Sequence, residues 1–151
     1  MELSLCYLKE QVGGVLRDHK GEIVVAFSAG FEGGSGLEAE VSALLLGVRM
    51  AKQHGSRLWI EADAEVLVRW IATEQLGAAE VCTDLARVRK ELENVEWKVS
   101  HIFREGNKAA DFLAGLGLQS GERITYTRSS TPSLVKALCR LDQLGLPNFR
   151  F

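Results

Sequence analysis

The sequence predicts an α/β domain built on one mixed sheet of five strands, three antiparallel and then two parallel, with helices on both faces. Three observations carry this. Residues 2–31 form short apolar runs broken by turn residues, the pattern of an antiparallel meander. From Leu37 the period becomes helical, with Leu37, Val41, Leu44, Val48 and Ala51 on one stripe. Beyond that helix, strand-like and helix-like stretches alternate, which argues for helices packed on a sheet that now gains parallel strands.

Taken in order, residues 2–8 read as a first strand and Val12 to Asp18 as a second, with Val15 and Leu16. His19-Lys20-Gly21 turns the chain, because glycine accepts positive φ. Glu22 to Phe31 is the third strand. Glu32 to Gly36 is a flexible connector, and the first helix runs to about Gln53, with Gly55 as its stop. Arg57 to Ala62 is a strand. Residues 64–74 and 79–92 are helices separated at Gly77. Val95 to Ile102 is a strand with Val95, Trp97 and Val99 on one side. Asn107 caps a helix over 108–118. Residues 119–131 are polar, with one short extended piece at Ile124-Thr125-Tyr126. A last helix starts near Pro132 with Thr131 at its cap, and Leu134, Leu138 and Leu141 form its apolar stripe. The expected organisation is a single domain over 1–151, in which 118–151 is a C-terminal extension.

Composition narrows the function classes. The chain has 151 residues, 46% apolar and 25% charged, an ordinary globular balance. A net charge of −2 argues against a uniformly basic nucleic-acid binder, and leaves room for a local patch or an acidic metal-dependent site. Three widely spaced cysteines, Cys6, Cys82 and Cys139, argue for free thiols over a disulfide scaffold or zinc site. The early acid Glu2 and then Lys9-Glu10 make a poor signal peptide, and no apolar run reaches about 18 residues. The expectation is an intracellular protein of the nucleus or cytoplasm, neither secreted nor membrane-bound.

The candidate site residues are acids placed at element ends. Glu40 lies beside the apolar stripe of the first helix, either at the edge of the helix–sheet interface or as a solvated first-turn acid favoured by the helix dipole. Asp63 ends a buried strand just before a helix, where ligands gather in open α/β sheets. It reads equally well as the N-cap of that helix. Asp111 borders the buried face of its helix if the stripe is Ala110, Leu113, Ala114 and Gly117, and faces water if it is Ala109, Leu113 and Leu116. His101, at a strand end, suits a structural role or a proton shuttle. Arg87, Arg89 and Lys90 are candidate phosphate contacts, though Glu91, Glu93 and Glu96 dilute them. Trp70 and Trp97 sit within apolar patterns and read as core.

The order of these residues is more specific than any one of them. Gly13-Gly14-Val15-Leu16-Arg17-Asp18-His19-Lys20-Gly21, Glu38-Ala39-Glu40-Val41, Ile60-Glu61-Ala62-Asp63-Ala64 and the run from His101 to Ala114 together resemble the ribonuclease H-like domains. In particular, they resemble plant reverse-transcriptase-like ribonuclease H domains related to non-LTR retroelements. The resemblance implies a ribonuclease H fold and hydrolysis of the RNA strand of RNA–DNA hybrids, using two Mg²⁺ or Mn²⁺ ions held by four carboxylates. By the resemblance, Glu40, Asp63 and Asp111 are metal ligands and catalytic residues, and His101 assists proton transfer or product release. Asn107 matches a polar position beside that histidine and is an expected substrate contact. Arg104 and Lys108, read from their place near the site, are candidate phosphate contacts or solvated surface.

One position departs from the family pattern. The family's first carboxylate is an Asp within the first strand, followed by a Gly-rich turn. This chain has no Asp before Asp18, which falls at a hairpin. Glu2 is the only acid in or near the first strand. Two readings follow. In one, the domain binds nucleic acid, an RNA–DNA hybrid or RNA, with impaired catalysis. In the other, it is a weak hybrid-specific endonuclease with Glu2 or water filling the gap, or a pseudoenzyme serving as a protein-interaction or self-association module.

Overall fold

The computed structural model describes residues 2–7, 12–30, 34–103, 108–120 and 123–143. Three strands come first: β1 (Glu2–Tyr7), β2 (Val12–Arg17) and β3 (Ile23–Ala29). The β2–β3 turn is held by Asp18, whose Oδ1 accepts the backbone N–H groups of Lys20 at 2.9 Å and Glu22 at 3.0 Å. Gly21 takes φ 78° there, a conformation that side-chain-bearing residues rarely adopt. Asp18 is therefore committed to the hairpin.

Helix α1 (Gly36–Lys52) starts at Ser35, whose side chain accepts the Glu38 N–H. Strand β4 (Arg57–Ala62) buries Leu58, Ile60 and Ala62, the alternation expected of a strand with one face on a core. Helices α2 (Glu65–Ala72) and α3 (Cys82–Leu92) follow, then β5 (Glu96–His101) and α4 (Lys108–Ser120). The chain continues as β6 (Ile124–Thr127) and α5 (Ser133–Gln143). Helix α3 begins three residues later than the pattern predicts, because residues 79–81 form a turn.

The sheet has six strands in the order β5-β4-β1-β2-β3-β6, one more than expected. The addition is β6, which pairs antiparallel with β3 from Ser28↔Ile124 to Val25↔Thr127. Ile-Thr-Tyr-Thr is a good strand sequence, with β-branched and aromatic residues alternating half-buried and exposed. It satisfies the backbone groups that β3 would otherwise leave at an edge. The other pairings follow the predicted meander, with β1–β2 and β2–β3 antiparallel and β1–β4 and β4–β5 parallel.

Two cores lie on opposite faces. One joins Leu16, Phe27 and Ile60 to α1, α2 and α3 through Leu44, Leu67 and Leu85. Trp70 and Trp97 pack against it, half-buried, as their patterns predict. The other joins Val15, Ile23 and Ala26 to α4 and α5 through Leu113, Val135 and Cys139. The predicted α5 stripe of Leu134, Leu138 and Leu141 is corrected by this packing. Val135, Leu138 and Cys139 face inward, and Leu134 is 50% exposed. Val135 and Cys139 join the core formed with Val15, Ile23 and Ala26, leaving Lys136 and Arg140 exposed. Among the described residues, no helix is long and apolar enough to cross a membrane.

Candidate functional site

Glu40 is wholly buried, at 0% exposure, and both its carboxylate oxygens are shielded from solvent. The solvated reading of Glu40 is thereby corrected. It lies one turn into α1 on the side packed against the sheet, between the buried residues Ala39 and Val41. Burying a carboxylate is costly, so such a residue is retained for what it holds or does.

Asp63 follows the last residue of β4. It does not cap α2, whose N-cap is Ala64 with no side-chain capping bond, so the cap reading is corrected too. Its Oδ1 is shielded from solvent. Glu40 and Asp63 line one cavity of about 510 Å³, together with Leu37, Ala64, Glu65, Val66 and Arg69. The strand end and the first turn of α1 thus bring two of the predicted acids to one place. Arg69 supplies a cation at this cavity, one helical turn after Glu65. Sequence reasoning missed both residues, although their i, i+4 spacing directly after Asp63 was a usable signal.

His101 ends β5 opposite Ala62. Its Nε2 lies 3.2 Å from the backbone oxygen of Asp63, so the imidazole is tied to the chain that carries the acid. The ring of Phe103, 76% exposed, meets His101 edge-on at 5.6 Å. Phe103 was also missed as a candidate contact.

Asp111 stands in the first turn of α4, half-buried. Ala109, Ala110 and Leu113 are all buried, so the helix uses both proposed stripes and Asp111 borders them. It does not line the Glu40–Asp63 cavity. Lys108 is half-buried at the start of the same helix, whereas Arg104 and Asn107 lie outside the described residues.

The register of β1 sets what stands beside Asp63. Tyr7 pairs with Ala62, and Cys6 with Glu61. Glu2 pairs with Arg57, at the other end of β4. Five steps along the strand separate Glu2 from Tyr7, about 16 Å. Glu2 therefore cannot complete the acidic cluster. Between them the sequence reads Leu3-Ser4-Leu5-Cys6, without an acid.

These donors can be weighed against a two-metal centre. Glu40 and Asp63 offer hard oxygen ligands of the kind a divalent cation takes. Among the described residues, no group of three His, Cys, Asp or Glu side chains is placed to hold a metal ion. The donor set does not fit a four-carboxylate centre.

Of the three α3 cations, Arg87 and Arg89 have partners within the fold and Lys90 is exposed. Arg89 Nη2 donates to the backbone oxygens of Trp70, at 3.1 Å, and Gln75, closing the end of α2. Arg87 pairs with Asp84 at 2.7 Å. Across the α1–α3 seam, Glu91 accepts Lys52 at 2.9 Å and Arg49 at 3.3 Å.

Comparison with known proteins supplies the family. The model of the reverse-transcriptase-like family matches residues 8–117, most of the chain. The chain belongs to the reverse-transcriptase-like family. Within this family the domain has a ribonuclease H-like fold, as its structural neighbours show. RNase H1 from the archaeon Halobacterium salinarum superposes with a TM-score of 0.69 at 18% identity, over 80% of this chain and 99% of that one. An N-terminal RNase H domain from Mycobacterium tuberculosis gives 0.69 at 11% identity, over 80% and 95%. An RNase H1 isolated from compost, solved in complex with an RNA/DNA hybrid, gives 0.67 at 20% identity, over 79% and 96%. Curated proteins give no match. The family match ends before β6 and α5, so both elements lie beyond it.

Proposed function

We propose that this domain binds nucleic acid, with RNA–DNA hybrid as the preferred duplex, and that its hydrolytic activity is impaired. The β1–β4 register carries this reading. The strand beside Asp63 brings no acid to the site, and the acid it does have, Glu2, lies at the far end of β4. A carboxylate in the first strand would complete the charge that holds two cations across the scissile phosphate. Without it the attacking water loses its alignment, and positioning with charge neutralisation supplies most of the rate in phosphoryl chemistry. The loss of several kcal/mol of transition-state stabilisation slows turnover by orders of magnitude.

Binding is supported by family membership, by a neighbour solved with a hybrid bound, and by the cation Arg69 at the cavity. Arg104 and Lys108 are the proposed phosphate contacts and Asn107 a sugar or base contact. Glu40 and Asp63 would offer oxygens to Mg²⁺ or Mn²⁺, with Asp111 outside the cavity that they line. Domain limits of 1–151 and a nuclear or cytoplasmic setting belong to the same proposal.

Fluorescence anisotropy with labelled RNA–DNA hybrid, duplex DNA and duplex RNA tests the binding. The hybrid should bind most tightly, and log affinity should fall linearly with log salt. Equal affinity for all three would sink the preference. A salt-independent signal would sink phosphate contact altogether.

A further inference from the structure

Outside the carboxylate site, a cavity of about 560 Å³ lies at the other end of the sheet. Gly21, Glu22 and Ile23 of the β2–β3 hairpin form one wall, and Thr127, Arg128 and Ser129 after β6 form another. Lys136, Cys139 and Arg140 of α5 close it. Strands β1 and β4 run parallel and the meander reverses twice, so Ile23 lies at the opposite end of the sheet from Asp63. The two cavities are separated by about the length of a strand, roughly 20 Å, and by the intervening strands.

Its chemistry is two-sided. Ile23 and Cys139, at 6% and 3% exposure, belong to the buried core and give the cavity an apolar floor. Three cations stand around the rim. Arg128 is already matched: its Nε donates to the Ile23 carbonyl at 3.1 Å, and its Nη2 meets Glu22 at 3.0 Å and Asp18 at 3.9 Å. Lys136 and Arg140 are not. They lie one helical turn apart, and among the described residues no carboxylate is within ion-pair distance of either. Lys136 Nζ donates to the Ser129 carbonyl at 3.3 Å, which holds the ammonium at the mouth without cancelling its charge. The side chains of Thr127 and Ser129 add hydroxyls.

We propose that this cavity binds a small organic anion with an apolar body and a phosphate-type head. The body enters over Ile23 and Cys139, and the head meets Lys136 and Arg140. The volume suits a small ligand, and an apolar lining with a few converging polar groups is the usual make-up of such sites. Two cations on one rim favour a phosphate over a neutral head. Its cations Arg128, Lys136 and Arg140 lie beyond the family match and its hairpin wall within it, and it shares no residue with the Glu40–Asp63 cavity, so it stands independently of the reading given to Asp63.

The probe is 1-naphthyl phosphate, titrated into the intact chain by isothermal calorimetry, with 1-naphthol and inorganic phosphate as the separate halves. The intact probe should bind at one site, and each half at least about tenfold more weakly. The double substitution Lys136→Glu with Arg140→Glu should weaken probe binding at least about tenfold while thermal unfolding stays unchanged, since both side chains are exposed. Arg87→Glu, an exposed reversal on the other face, should leave binding intact. If 1-naphthol binds as tightly as the phosphate, or if the double substitution binds like the parent, the proposal fails. Absence of one-site binding overturns it outright.

Discussion

Where β4 stops, Glu40 and Asp63 hold carboxylate oxygens away from water. At the other end of the same sheet, Lys136 and Arg140 keep their charges at the surface, around an apolar floor. Exposed cations cost the fold almost nothing, because water solvates them. Buried acids cost it several times more, so they persist only under another demand. On the function proposed above, the acidic end is where the demand would be a reaction, whereas the basic end needs no such demand to persist. The family match covers the first, and of the second it covers the hairpin wall but not the segment 127–140 that supplies the cations.

The largest expected effect concerns the face that carries the basic end. Leu113→Ala removes a wholly buried side chain joining α4 to the sheet beside α5. It should lower stability by about 2–5 kcal/mol in denaturant unfolding and loosen α4 and α5 together in hydrogen exchange. Protection lost in α4 alone would show that the two helices are separate units.

Glu40→Gln should move stability the other way. The amide keeps the shape and removes a charge from a cavity it shares with Asp63. An increase of about 1 kcal/mol, or roughly 2–4 °C in Tm, is expected. A fall of similar size would mean that the carboxylate holds the fold together, and the contrast between the two ends would collapse.

Arg89→Ala should cost about 1–2 kcal/mol, because two backbone carbonyls at the end of α2 lose their donor. Hybrid affinity measured by anisotropy should be unchanged apart from any unfolded fraction. A large affinity loss in the folded protein would restore α3 as a nucleic-acid contact.

The smallest effect belongs to Glu91, an acid that stayed in water. Its hydrogen bonds to Lys52 and then Arg49 hold its carboxyl below the usual carboxylate range. A lowered folded-state pKa stabilises the fold above the unfolded value and is lost as pH falls through the folded one. Glu91→Gln should therefore cost about 0.5 kcal/mol or less at neutral pH, less still in high salt, and nothing once the pH is below the lowered pKa. A cost that persists in acid would have to come from packing.

Much of this was legible in the residues. The meander, the α1 stripe and β4 follow their periodicities closely, since each buries one face and the period reports that face. The order of Glu40, Asp63, His101 and Asp111 pointed to the family; Glu40 and Asp63 line one cavity and His101 is tied to the Asp63 backbone. Other features were not legible. The extended piece at 124–126 was read from its residues, but its place as a sixth strand was not, because the β3 edge it pairs with is a tertiary partner outside the local pattern. The inward face of α5 was read partly wrong: Leu138 packs inward as expected, but Val135 and Cys139 take the buried places because the stripe was drawn through the more hydrophobic leucines. Arg69 and Phe103 were missed because exposed side chains carry no periodicity. The burial of Glu40 could be narrowed by helical phase to an interface edge, but only packing decides on which side of that edge a carboxylate falls.

The central claim is that the acidic end keeps the place of catalysis without its rate. The most direct measurement incubates an end-labelled RNA–DNA hybrid with the protein in Mg²⁺ and, separately, Mn²⁺, beside Asp63→Asn, and resolves the products on a denaturing gel. The account predicts that hybrid is bound by both proteins and that cleavage does not exceed the Asp63→Asn level. Metal-dependent cleavage that disappears on Asp63→Asn would contradict it.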